Sequence, residues 1–287
     1  MLSRLFAYSQ YLLPKYWLTA VVYRLARIRI RAVKDGLIRG FLKLYDVRLD
    51  EVSGRVPGDF ATFNEFFIRE LKDGARPVDP DPSTIVSPAD GTLSQAGTLR
   101  GDRLLQAKGI DYTLAELLTA DLDNAREFEG GAFATIYLAP YNYHRVHAPA
   151  AGELVAAHYV PGDLFSVNSA TAAHVPGLFS RNERVNLHFR TAFGPMLVVL
   201  VGALNVGSIS TPWSGEIRPR KSGVVERIDI STAPRHVGKG DLLGWFNMGS
   251  TVIVLLPPNS CTWHADFEAG ASTVMGRAIG TLAAASA

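Results

Sequence analysis

The run Val252-Ile253-Val254-Leu255-Leu256 constrains this chain more than any other stretch. It is short, wholly apolar and begins with three β-branched residues, and Asn247-Met248-Gly249-Ser250-Thr251 stands directly before it. A run of this length, opened by Gly and hydroxyl residues, predicts a buried strand. Two more runs, Ala132-Phe133-Ala134-Thr135-Ile136-Tyr137-Leu138 and Met196-Leu197-Val198-Val199-Leu200-Val201, predict further strands. Gly, Pro and Asp separate the runs, so the body should be mostly antiparallel β. In that half only Thr113 to Leu118 reads as a helix, with Thr113 and Glu116 as a capping box. Ala283 to Ala287 reads as a fraying tail.

The first 50 residues have a different texture. A helix interrupted at Pro14 and capped by Ser3 is expected first, then a longer one from Lys15 to Lys34. At helical spacing Leu18, Val21, Val22, Leu25 and Ile28 share one face, while Arg24, Arg27, Arg31 and Lys34 share the other. Thr62 to Gly74 holds one more helix around Phe63-Asn64-Glu65-Phe66-Phe67. The fold class is therefore α+β, with basic amphipathic N-terminal helices on a mostly antiparallel β body.

Net charge is +2 over 287 residues. Residues 1–47 hold nine Lys/Arg against two Asp, a net of +7, and the remainder nets −5. The uncharged piece Tyr16 to Tyr23 is far below the roughly 20 residues that span a bilayer. No small-residue cleavage site follows a clean apolar core, which argues against a secretory signal. A basic amphipathic helix with Tyr16 and Trp17 at its boundary suits an anionic membrane surface; packing on the protein's own core is the competing reading. Cys261 is the only cysteine, which excludes an intrachain disulfide and a CxxC zinc site. No basic patch with interleaved aromatics calls for nucleic acid.

Three places besides Ser250 carry chemistry. Gly249 lacks a Cβ, so its carbonyl is open to attack and its backbone is free to strain, and the Ser250 hydroxyl stands next to it. Alone, Gly-Ser-Thr more often marks a turn. Asp90 lies in Ser87-Pro88-Ala89-Asp90-Gly91, and His144 and His147 lie in Tyr143-His144-Arg145-Val146-His147. Asp90 can orient His147, which can take the Ser250 proton, the logic of an Asp-His-Ser relay.

These residues, with Thr62-Phe63-Asn64-Glu65-Phe66-Phe67, Pro88-Ala89-Asp90-Gly91, Gln106-Ala107-Lys108-Gly109, Tyr159-Val160-Pro161-Gly162-Asp163-Leu164-Phe165-Ser166-Val167-Asn168, Arg181-Asn182-Glu183-Arg184 and Gly249-Ser250-Thr251, give the chain a resemblance. It resembles the bacterial, pyruvoyl-dependent phosphatidylserine decarboxylases over nearly its whole length. Met248 stands where that family usually has Leu, a volume-conserving change.

The resemblance implies a proenzyme that cuts itself between Gly249 and Ser250 into a β chain, 1–249, and an α chain, 250–287. Residues 1–50 would be the membrane-association segment and 51–287 the catalytic body. Asp90 and His147 would activate Ser250, whose residue would become a covalent pyruvoyl group, the cofactor. Phosphatidylserine would join it through a Schiff base and leave as phosphatidylethanolamine and CO2. His144 would deliver the proton or orient the substrate carboxylate, with His147 the competitor. Phe165, Ser166 and Asn168 would lie near the substrate.

The implied place is the cytoplasmic face of the cell membrane, as a peripheral protein in phospholipid biosynthesis; a homodimer stays open. Rival readings are a serine hydrolase with an intact chain, which lacks a G-x-S-x-G elbow, a decarboxylase of a soluble amino acid, and a non-catalytic membrane-surface protein. His144, His147 and Asp90 are of metal-ligand type. The pyruvoyl scheme needs no metal, so none is expected.

Overall fold

The Ser250–Leu256 strand is buried at all seven positions, and its place in the sheet explains why. It pairs antiparallel with Gly194–Val201 on one side and Ala132–Leu138 on the other. These are the three apolar runs of the sequence, now the centre of one antiparallel sheet. Outward on one side lie Arg184–Thr191, Gly152–Val160 and Glu226–Arg227; on the other lie Gly91–Thr98 and Ser272–Thr273. The computed structural model describes residues 2–119, 125–205 and 207–283. The fold is α+β.

A second, four-stranded sheet sets the site. Its order is Gly215–Ile217, Ile209–Thr211, Leu242–Phe246, Arg145–His147. One of the chain's passages from this sheet into the large one is the three residues Asn247, Met248 and Gly249, and one of its passages from the large sheet into this one is residues 139–144. The two passages lie side by side, because Ser250 is opposite Leu138 and Trp245 is opposite Arg145. The Phe246 N–H donates to the His144 carbonyl at 3.1 Å across the gap. Position 249 and His144 are thus neighbours by topology.

Four helices matter here: α1 (Leu2–Ser9), α2 (Lys15–Ala26), α3 (Arg31–Leu44) and α4 (Phe63–Phe67). The helix expected over Lys15–Lys34 is two, and two surfaces claim its halves. Near the end of α2 the Tyr23 hydroxyl and the Arg27 guanidinium both bond Glu216, at 3.0 and 2.6 Å. Beyond extended Ile30, α3 turns to bury Ile38 and to set Phe41 against Phe63, Phe66 and Phe67. Ala26, Ile38 and Val47 share a small core with Val52, Phe60 and α4, and Met248 packs on it. Lys34, expected on the polar face, is buried, pairing with Asp35 at 2.8 Å and donating to the Pro57 carbonyl.

The face that α2 turns to the body is not its apolar one. Lys15, Thr19 and Ala26 are buried, while Trp17 is 64% exposed and Leu25 48%. Between α1 and α2, Leu12 is 88% exposed. Among the described residues no helix is long and apolar enough to cross a membrane.

Helix α1 begins at Leu2, ahead of Ser3. Helix α4 ends at Phe67, well before Gly74; Thr62 caps it by accepting the Glu65 N–H at 3.0 Å. The Thr113–Glu116 capping box is present on helix Leu114–Leu118. Two further short helices, Ser169–Ala172 and Leu178–Arg181, break the expectation of a single helix in this half. The tail lies outside the described residues from 284 on, and Ala283 itself donates to the Ser260 carbonyl at 2.8 Å.

Candidate active site

Ser250 opens the central strand, fully buried, and its Oγ has no hydrogen-bond partner among the described residues. Leaving a buried hydroxyl unpaired costs about 1–3 kcal/mol, so its retention asks for a reason. The approach to it is held firmly. Asn247 donates to Ser208 Oγ at 2.7 Å and Ser210 Oγ at 3.0 Å, and accepts from Asn64 of α4 at 3.0 Å. Gly249 does not have a left-handed backbone, and a Cβ there would sit tightly, 3.3 Å from the Leu138 carbonyl oxygen and 3.4 Å from His144 Cε1.

His144 is therefore the histidine against this peptide. Its ring is wholly buried and stacks on Phe67, centroids 4.2 Å apart and planes 24° apart. Nε2 lies 3.3 Å from the Pro140 carbonyl, which can only accept, so Nε2 carries the proton. Nδ1 is then a bare lone pair, buried and without a partner among the described residues. Burial, helped by the Arg69 guanidinium, lowers the ring's pKa to about 3, so the imidazole is neutral at ordinary pH.

His147 and Asp90 are placed near one another but not joined. The His147 Nδ1–H donates to the Gly240 carbonyl at 2.8 Å, and Nε2 accepts from the Tyr143 hydroxyl at 3.1 Å. Asp90 accepts two bonds from Arg76 Nε, at 2.8 and 3.1 Å, one from Nη2 at 2.6 Å, and the Met275 N–H at 2.9 Å. Arg76 also pairs with Glu51 at 2.9 Å. Asp90, Arg76 and Tyr143 line one cavity of about 430 Å³. Burial lowers the His147 pKa, and the Asp90 charge opposes that. Gly91 lets this turn close, since a Cβ there would come within 2.4 Å of the Tyr137 carbonyl oxygen. Sequence reasoning misses Arg76 and the Tyr143 hydroxyl; Tyr143 stands inside the Tyr143–His147 motif, while nothing local marks Arg76.

A second cavity, of about 300 Å³, borders Gly249. Ser166 and Asn168 line it, facing Phe41, Tyr137 and Leu138. Phe165 does not; it is buried edge-on to Tyr11, with the Lys15 ammonium 3.9 Å from its ring centre. Asn168 Oδ1 caps the Ser169–Ala172 helix by accepting the Thr171 N–H at 3.0 Å. The Gln106–Gly109 and Arg181–Arg184 motifs hold this wall. Gln106 donates to the Ala172 and Val175 carbonyls and accepts the Leu178 N–H. Asn182 clamps Phe165 through both its N–H and its carbonyl. Arg184, buried and without a carboxylate partner among the described residues, bonds the Glu116 and Leu117 carbonyls at a helix C-terminus.

Glu183 lies behind the same wall, fully buried, with the Tyr159 hydroxyl donating to Oε2 at 2.9 Å. Burial raises its pKa from 4.5 to about 8. Between those values the folded chain binds a proton that the unfolded chain has released, so folding stability falls as pH rises through the window. The expected slope is about 1 kcal/mol per pH unit. Thermal unfolding of Glu183→Gln, followed at several pH values, should show that slope flattened; an unchanged slope would place the proton elsewhere.

Among the described residues no three His, Cys, Asp or Glu side chains are grouped to hold a metal. The pyruvoyl group that the resemblance implies fits this site: a buried, unpartnered Ser250 hydroxyl follows Gly249, and open volume lies beside it.

Comparison with known proteins agrees with the resemblance. A family model described as phosphatidylserine decarboxylase matches residues 63–281, and one described as PSD matches residues 5–46. The phosphatidylserine decarboxylase proenzyme of Methylococcus capsulatus is 49% identical over 97% of this chain and 96% of its own. Those of Pseudomonas fluorescens strain Pf-5 and Saccharophagus degradans are 47% and 44% identical, over 98% and 97% of both chains. With Gly249-Ser250, His144 and the two cavities at the junction of the sheets, and relatives matched from end to end, the chain belongs to the phosphatidylserine decarboxylase family.

Proposed function

We propose that this chain is a proenzyme that cuts itself between Gly249 and Ser250 and then decarboxylates phosphatidylserine to phosphatidylethanolamine. One observation carries the reading: the buried Ser250 hydroxyl, with no hydrogen-bond partner among the described residues, directly after Gly249 and beside open volume. In the first step a base removes the Ser250 Oγ proton, and Oγ attacks the Gly249 carbonyl carbon. The C–N bond breaks, the Ser250 nitrogen takes a proton, and an ester replaces the peptide. Loss of the Ser250 Cα proton expels the Gly249 carboxylate and leaves a dehydroalanine. One water then replaces the nitrogen, and ammonia leaves. Once formed, the pyruvoyl group supplies the electron sink that no ordinary side chain offers to an α-amino carboxylate losing CO2.

The chain's own groups do the rest. Asp90 and His147 serve the cutting step, with Tyr143 as the hydroxyl between His147 and the Asp90 cavity. His144, neutral at rest with Nε2–H on the Pro140 carbonyl, takes up a proton at its bare Nδ1 and passes it to the substrate carbon. Ser166 and Asn168 bind the headgroup in the 300 Å³ cavity, and Phe165 backs them. A specific observation favours a second assignment for the cut. His144, not His147, is the ring in reach of Gly249, and it would then be the base that frees the Ser250 oxygen.

The membrane reading rests on which side of the N-terminal helices faces out. Leu5, Leu12 and Trp17 are exposed while Lys15 and Thr19 are buried, the reverse of a helix that meets only water. Arg24, Arg29, Arg31, Arg39 and Lys43 are exposed nearby, each worth about 1 kcal/mol at an anionic surface. A diacyl substrate stays in its bilayer, since each buried CH₂ holds it by about 0.8 kcal/mol, so the enzyme must come to it. The test is CO2 release from phosphatidylserine vesicles. The double substitution Leu12→Asp, Trp17→Asp should lower vesicle co-sedimentation about tenfold or more. Undiminished sedimentation would mean this face does not meet lipid, and absence of CO2 from a fully cut wild-type protein would sink the decarboxylase reading.

A further inference from the structure

The two walls of the Gly249 cavity are hydrogen-bonded to the N-terminal helices. Gln10, buried between α1 and α2, accepts the Ser166 N–H at 2.8 Å through Oε1. Its Nε2 donates to Thr171 Oγ1 at 2.9 Å, and that oxygen in turn bonds Ser166 Oγ at 2.7 Å. At the other lining segment Thr19 Oγ1 accepts the Asn205 N–H at 3.1 Å. Lys15 ties Gln10 to the 162–168 segment: its ammonium donates to the Gln10 carbonyl at 3.0 Å and pairs with Asp163 at 3.2 Å. The Tyr16 hydroxyl donates to the Gly162 carbonyl. The 162–168 and 203–205 segments form no helix or strand; besides these bonds they are held by the Asn182 clamp, by the backbone bonds of Asp163 to Arg181 and Glu183, and by the Leu204 N–H on the Phe165 carbonyl at 3.3 Å.

We propose that Gln10 and Thr19 are positioning residues for decarboxylation. The buried polar side of the 10–19 segment sets the Ser166–Asn168 and Asn205 walls of the substrate cavity, while its outer apolar side remains for the lipid surface. Seating of the N-terminal helices and assembly of the headgroup cavity are then one event. Gln10 touches neither the Gly249–Ser250 peptide nor the cavity interior, and it acts through the Ser166 amide. Removing its side-chain polarity leaves the part-buried Ser166 N–H without its partner, which weakens the ordered wall by about tenfold.

This inference rests on the decarboxylase reading, and its test separates the two. Full-length wild type, Gln10→Met and Thr19→Val are compared on dihexanoyl phosphatidylserine dissolved as monomers, so that vesicle binding plays no part. Both variants should cut themselves as completely as wild type and keep kcat within about twofold. KM should rise about tenfold, with faster amide hydrogen exchange at Ser166 in Gln10→Met and at Asn205 in Thr19→Val. If wild type releases CO2 and both variants match it in KM and exchange, the positioning role is wrong and the decarboxylase reading stands. A fall in kcat at constant KM would also overturn it, as a general loss of folded protein would do. If cut wild type releases no CO2, the decarboxylase reading fails and takes this inference with it.

Discussion

Ser250→Ala is expected to remain a single uncut chain and to release no CO2 above background. The hydroxyl is the attacking atom of the cut and the source of the later carbonyl, so no neighbour can replace it. The change should also be mild for the fold. Ser250 Oγ bonds nothing among the described residues, and removing an unpaired buried hydroxyl is neutral or stabilising, where most core substitutions cost about 1 kcal/mol or more. Loss of activity without loss of melting temperature would separate chemistry from stability. A non-catalytic surface protein would show no chemical difference between variant and wild type, and a serine hydrolase would be intact before the substitution as well as after it.

The second large effect is expected at the histidine pair. His147→Ala should stop the cut, whereas His144→Ala should cut normally and lose decarboxylation by about 10²- to 10⁴-fold. The reverse pattern, with His144→Ala uncut and His147→Ala processed, would assign the base to the ring that lies against Gly249. Since the His144 pKa is held near 3, this residue is uncharged from pH 5 to 8 and contributes no inflection to the rate there. Asp90 needs a gentler substitution. Asp90→Ala would strip Arg76 of one of its two carboxylate partners and leave Glu51 as the other, destabilising the fold around the site. Asp90→Asn keeps the shape and an acceptor, and it tests the relay with less damage to the fold.

The parts of the fold written locally are legible in the sequence. Ser250–Leu256, Ala132–Leu138 and the apolar part of Gly194–Val201 declare themselves by composition, and the Thr113 capping box by spacing alone. What the sequence hides depends on partners far away. The Ser169–Ala172 helix leans on Gln106, 66 residues distant at Ala172. The helix expected over Lys15–Lys34 breaks because Glu216 claims one half and α4 the other. Periodicity shows that this helix has two unlike faces; it does not say which is turned inward, and Lys15 and Thr19 face the body.

The site divides the same way. Ser250, Gly249, His144, His147 and Asp90 stand out as residues of chemical character, and motif order groups them. Their connections do not stand out. Arg76 holds Asp90 from an irregular loop, and Tyr143 holds His147 through a hydroxyl to which the motif gives no role. Asn64 and Phe67 of the Thr62–Phe67 motif act at the junction, one through Asn247 and the other under His144. No sequence spacing could relate Asn64 to a residue 183 positions on.

Intact-protein mass spectrometry of the freshly expressed chain tests the central claim most directly. Two species are expected: residues 1–249 ending in a free carboxylate, and residues 250–287 lighter than the encoded peptide by one ammonia. One unmodified species of 287 residues, persisting while the protein turns over substrate, would contradict it.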